Sequence, residues 1–251
     1  MQELSTLINI IVFTLIGSIA SLVGGVFLLF NKKLVEHISH LLMSFAAGTL
    51  LGTAFFDLIP EALNEGKPVN VMFFVLFGFI TFFVLARFIH WIHHHPHEAT
   101  EKPTVALITF GDSVHNFIDG VAIAATFLVN PSLGIVTALA VGAHEIPQEI
   151  GDFAVMLKRG MSSKKVLFFN LGSAFISLFG ALLTFYFSSS ISGLLYIFVS
   201  ITAGFFIYIS ASDLIPEIHE NNKRGFALFE TLMIILGIIS IYVMITLLEG
   251  H

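Results

Sequence analysis

Between Glu3 and Lys32 the chain carries no charged side chain, and Ile, Leu, Val, Phe, Ala and Gly dominate the stretch. A helix rises about 1.5 Å per residue, so about 20 such residues cross the roughly 30 Å of bilayer hydrocarbon. Stretches of this kind recur along the whole sequence: Leu7–Phe30, Ile38–Ile59, Val71–Trp91, Thr104–Val129, Leu133–Leu157, Val166–Ser188, Ile191–Ile215 and Phe226–Leu248. The breaks between them are short and polar, and Asn130-Pro131 is a strong turn signal between the fourth and fifth. Only 11% of the 251 residues are charged, against about 25% in a soluble domain. Such a chain cannot cover a water-facing surface. The expected fold class is therefore an all-α membrane protein of eight transmembrane helices, forming one transmembrane domain over residues 1–251. No cleavage site follows the first stretch, which is read as a retained span. The absence of Cys excludes disulfides and thiolate metal sites. A net charge of −6 gives no reason to expect a nucleic-acid partner.

The basic residues orient the spans. With the N-terminus outside, the inner loops hold Lys32, Lys33, Arg87, Lys102, Lys158, Arg159, Lys164, Lys165, Lys223 and Arg224, and only Lys67 falls outside. This positive-inside pattern favours an even number of spans with both termini outside. "DLIPE" occurs at Asp57–Glu61 and again at Asp213–Glu217, each preceded at the same distance by Ala-Gly. One copy ends the second span and the other the seventh, which run in opposite directions. Inverted three-helix repeats flanking a central helix pair are expected, an arrangement common in transporters. A shared helix-ending device would also explain the repeated Pro and acid.

The fourth and fifth spans carry the chemistry. "DSVHNFIDG" places Asp112, His115, Asn116 and Asp119 on the fourth, and "HEIPQEIGD" places His144, Glu145, Gln148, Glu149 and Asp152 on the fifth. His115 lies about 16 Å into its helix and His144 about 18 Å into the next, both near the middle of the hydrocarbon. Antiparallel neighbours joined by so short a loop bring these runs together. His115 and Asp119 share a helix face, as do His144 with Gln148 and Glu145 with Glu149. A lone ionised group at that depth costs about 2.5–3.5 kcal/mol, and no Lys or Arg lies at that depth. One or two bound cations are the simplest compensation. Imidazole and carboxylate together favour a first-row dication, with Zn²⁺ the best match and Fe²⁺, Mn²⁺, Co²⁺ and Cd²⁺ open. Pro147 is expected to break the fifth helix near Ala143. Asp112 and Asp152, one turn inward, are candidates for an exit path. Asp57 and Glu61 could collect ions outside or merely cap a helix.

"HNFIDG" followed by "HEIPQEIGD", with "GTLLGTAFFDLIPEA" and "TAGFFIYISASDLIPE" on the second and seventh spans, resembles the ZIP (Zrt/Irt-like) metal-ion transporters over essentially the whole chain. The resemblance implies uptake of zinc or a similar dication into the cytoplasm, and no enzymatic activity. It implies a binuclear site between the fourth and fifth helices. His115, Asp119, His144 and Gln148 would form its main half, and Asn116, Asp119 and Glu145 the other. Asn170 stands where some relatives carry an acid ligand. The nearest subfamily pattern is His-Glu-x-Pro-His-Glu. Here Gln148 replaces the second His, and an amide oxygen is a weaker zinc ligand than imidazole.

The inner loop 90–103 holds His90, His93, His94, His95 and His97, either as an exchangeable metal-binding tract or as a plain solvated loop. "HEIPQ" also approaches the H-E-x-x-H pattern of an intramembrane zinc metalloprotease, with Glu145 as general base. A metal exporter with the same site, or a proton-coupled carrier of organic substrates, completes the alternatives. The fourth and fifth helices are expected to move as a pair, with the Pro-bearing second and seventh as candidates to move with them. The expected partners are the divalent ion, the bilayer and a second copy in a homodimer. Short loops and the lack of Cys suit a prokaryotic plasma (inner) membrane.

Overall fold

The computed structural model describes residues 2–30, 32–93, 105–158, 160–220 and 227–249, and its regular structure there is entirely helical. α1 (Gln2–Phe30) is followed by α2 (Lys32–Thr53), which runs through a π-helical turn (Ala54–Leu58) into α3 (Ile59–Glu65). α4 (Pro68–His93), α5 (Val105–Val129), α6 (Pro131–Lys158) and α7 (Ser163–Tyr186) come next. A short α8 (Ser188–Ile191) and a 3₁₀ turn (Ser192–Leu194) lead into α9 (Leu195–Tyr208). A second π-helical turn (Ile209–Leu214) joins α9 to α10 (Ile215–Glu220), and α11 (Ala227–Glu249) closes the fold.

Both "DLIPE" copies begin inside the π-helical turns. Ile59 N–H donates to the Ala54 carbonyl and Ile215 N–H to that of Ser210, each five residues back. The following Pro60 and Pro216 have no N–H, and their rings would crowd the carbonyl four residues earlier. A turn widened by one residue relieves that crowding and lets the helix continue. The helices therefore continue past the expected span ends at Ile59 and Ile215, as α3 and α10. Pro147 behaves differently from its expectation: α6 continues unbroken from Pro131 to Lys158.

A single residue, Asn130, separates α5 from α6. Its Oδ1 accepts the Leu133 N–H at 2.9 Å, and Pro131 holds the first helical position, where a missing donor costs nothing. Its Nδ2 also donates to Glu61 Oε1 at 3.3 Å. Asn130→Ala is expected to lower stability by about 1 kcal/mol, read as a drop in unfolding temperature in detergent, with Asn130→Ser recovering most of it.

The helices form two bundles. In one, α5 lies along α7 and α1 along α6; in the other, α2 lies along α11 and α4 along α9. Glycines allow the closest approaches. A Cβ at Gly48 would strike the Ile234 carbonyl and one at Gly237 that of Phe45; Gly78 and Gly204 stand likewise against Ile201 and Val75. In the first bundle Gly120 meets the Ser177 carbonyl and Gly180 that of Phe117. The Pro-bearing helices thus lie along α11 and α4. Across the boundary α2 meets α6 and α5 meets α9.

Among the described residues, six helical stretches are long and apolar enough to cross a membrane: Glu3–Ala20, His40–Glu65, Pro68–Phe88, Ser163–Tyr186, Leu195–Leu214 and Ala227–Leu248. α6 adds a shorter apolar run, Pro131–Ile146. Their placement follows burial: 72% of His40–Glu65 is inside the protein, against 17% of Pro68–Phe88 and of Ala227–Leu248. The outer helices expose Phe73, Leu76 and Phe77 on α4, and Leu232, Leu236 and Ile239 on α11. Aqueous solvent would penalise such a surface and hydrocarbon would not. The chain is an all-helical integral membrane protein.

Candidate metal centre

His115 and Asp119 lie one turn apart on α5, and His144 and Glu145 are successive residues of α6. The α5–α6 contact brings the four together. His115 Nε2 lies 3.0 Å from His144 Nε2, 3.5 Å from Asp119 Oδ2 and 3.7 Å from Glu145 Oε1. His144 Nε2 lies 3.3 Å from Asp119 Oδ2 and 3.9 Å from Glu145 Oε1. Zinc holds N and O ligands at about 2.0–2.2 Å, which sets ligand-to-ligand edges of a tetrahedron at roughly 3.3–3.6 Å. The five separations scatter around that length.

The orientation of His144 suits a metal ligand. Its Nδ1 stands 3.2 Å from the Ala140 carbonyl oxygen. A carbonyl can only accept, so Nδ1 carries the proton and Nε2 keeps its lone pair toward the cluster. Two imidazole nitrogens at 3.0 Å have room for one shared proton or one cation. Among the described residues, Asp119 Oδ2 and both oxygens of Glu145 are buried and accept no hydrogen bond of good geometry, although the His Nε2 atoms stand close to two of them. Unsatisfied buried carboxylate oxygens are costly. No Lys or Arg occurs in α5, and α6 carries none before Lys158. A dication would satisfy oxygen and nitrogen atoms at once.

Asp112, Glu145 and Glu149 form a second buried group, each offering an oxygen within 4.8 Å of the others. Glu145 belongs to both groups and could bridge two ions. Asp112, read from sequence as an exit-path residue, stands in this second group. Asn116 lies beside it: its Nδ2 donates to Asp112 Oδ1 at 3.0 Å and to the Asp112 carbonyl at 3.2 Å. Asn170 on α7 is buried, and neither of its amide atoms has a hydrogen-bond partner among the described residues. Gln148 and Asp152 belong to α6, but their side chains lie outside the described residues. So do the side chains of His90 and His93 at the end of α4, and the whole of His94, His95 and His97.

Two contacts carry no signal in the sequence. The Phe82 ring meets that of His115 edge-on, with centroids 5.6 Å apart at 88°. Phe206 meets His144 at 6.2 Å and 65°. With 28 Phe in the chain, nothing distinguishes these two before folding.

Comparison with known proteins agrees with this chemistry. The family described as ZIP Zinc transporter matches residues 4–106 and 99–245. "Zinc transporter foi" of Drosophila melanogaster is 40% identical over 160 residues, covering 62% of this chain and 22% of that protein. "Metal cation symporter ZIP14" of Bos taurus is 38% identical over 156 residues, 58% of this chain and 31% of the relative. "Zinc transporter ZIP10" of Homo sapiens is 39% identical over 124 residues, 48% and 15% respectively. The matched stretch thus spans less than a third of each relative's length.

Proposed function

Starting from the fact that the chain belongs to the ZIP zinc transporter family, we propose that it carries zinc or a similar first-row dication into the cytoplasm through a binuclear site between α5 and α6. The single observation that supports this most is the set of five separations among His115, Asp119, His144 and Glu145, from 3.0 to 3.9 Å. That group would hold one ion, with Gln148 as a further ligand. Asp112, Glu145 and Glu149, with Asn116 alongside, would hold the second, and Asn170 would be a reserve ligand. Asp152 would continue the path inward, and the histidines of loop 90–103 would capture released metal. The family is one of transporters, so the protease reading of "HEIPQ" falls away.

The proposed topology is eight spans with both termini outside, in one transmembrane domain. The paired glycine crossings support the inverted repeat. Gly48 on the second span meets the eighth, and Gly204 on the seventh meets the third, as a two-fold exchange of repeats requires. The bundle of α1, α5, α6 and α7 would be the moving carrier, and that of α2, α4, α9 and α11 the frame, giving alternating access. A plasma membrane is the proposed location; its prokaryotic assignment rests on short loops and missing Cys alone, while the relatives above are animal proteins. A homodimer through exposed apolar helices is part of the same reading.

Uptake of labelled metal by proteoliposomes tests the function. Wild type should accumulate zinc down its gradient, whereas a protease would release peptide and no metal. In cells, import raises metal content and export lowers it. Gln148→His should raise the preference for zinc over manganese by about tenfold, because imidazole is the better zinc ligand and oxygen suits manganese. An unchanged ratio would remove Gln148 from the site.

A further inference from the structure

Phe82 is a hub between the two bundles. On its own side its ring packs at 5.4 Å from Phe205 and 5.3 Å from Tyr208, and Tyr208 packs at 5.3 Å from Phe79. On the other side it meets the His115 ring. Phe82 is buried at 7% exposure, whereas the His115 side chain keeps 12%. α4 touches α5 in few places, and α9, which carries Phe205 and Tyr208, also packs against α5. An aromatic block standing on the helices that hold no proposed ligand thus meets the metal group at His115, at the seam between the bundles.

We propose that Phe82, backed by Phe205 and Tyr208, seals this seam so that water and protons cannot pass the metal group. This rests on the transport reading above. An apolar constriction excludes ions by staying dry, without any charge of its own. A carrier needs such a seal on the part that does not move, since an open seam would let ions run past the bound metal. Cutting Phe82 back to Ala would free roughly 100 Å³, room for about three water molecules at about 30 Å³ each. The polar atoms of His115, Asp119 and Glu145 would then border a wet passage.

The test is proton leak in metal-free proteoliposomes enclosing a pH-sensitive dye. Phe82→Ala should leak about tenfold faster than wild type, and Phe82→Leu, which restores apolar bulk, should stay tight. Phe205→Ala opens the same block from α9 and should also leak, which covers the case in which the first variant folds poorly. Zinc titration of each purified variant reports whether the site has assembled. A zinc-binding Phe82→Ala or Phe205→Ala protein as tight as wild type would overturn the proposal, and so would a Leu variant as leaky as Ala. Zinc uptake by wild type in the same vesicles is scored separately. Its failure would remove the transport reading, not the leak result.

Discussion

His144→Ala is expected to weaken zinc binding by at least about a hundredfold. Structural four-ligand zinc sites contribute about 10–16 kcal/mol, so one ligand accounts for about 3 kcal/mol, or roughly two powers of ten. His144 should exceed that share. It is 1% exposed, its tautomer is fixed by Ala140, and its Nε2 stands within 4 Å of the three other ligand atoms. Alanine would leave Asp119 and Glu145 with one neighbouring imidazole fewer. Water entering the hole could replace a donor but not the imidazole lone pair held in place. Calorimetric titration of the purified protein measures the loss. Affinity within about threefold of wild type would mean that metal binds elsewhere.

Gly120→Val should destabilise the protein by about 3 kcal/mol or more, at the upper end for overpacking. The obstacle is the Ser177 carbonyl on α7, a backbone group that cannot turn aside as a side chain could. Gly180 stands against the Phe117 carbonyl on the reverse side of the same crossing, so the helices cannot slide to make room. Separating α5 from α7 would also displace Asp119, the residue before Gly120, and zinc affinity should fall with stability. Gly172→Val on the exposed face of α7 is the control, since a Cβ there meets nothing within 4 Å. Unfolding temperatures in detergent should drop sharply for the first variant and hardly at all for the second. Equal behaviour of the two would mean that the α5–α7 crossing is looser than described.

The convergence of buried His and carboxylate side chains was the most legible part of the sequence. His115, Asp119, His144 and Glu145 sit at matching depths in two apolar stretches, and Asn130-Pro131 leaves room for only one antiparallel arrangement. Depth and helical period therefore suffice to place these groups together. The grouping of helices was not legible. Gly48, Gly78, Gly120 and Gly204 announce close crossings, but a glycine does not name its partner. Proline was misleading for a related reason. Pro147 suggested a break that α6 does not show, while Pro60 and Pro216 are accommodated by π-helical turns that no residue pattern marked. Phe82 could not be found at all, because its role depends on which of many rings lands beside His115.

Zinc-edge X-ray absorption of the zinc-loaded protein, wild type beside a His115→Ala, His144→Ala double variant, tests the central claim most directly. The account predicts a wild-type shell of imidazole nitrogen and carboxylate oxygen at about 2.0–2.2 Å, with the imidazole signal lost in the variant. An imidazole signal that persists unchanged in the variant would contradict it.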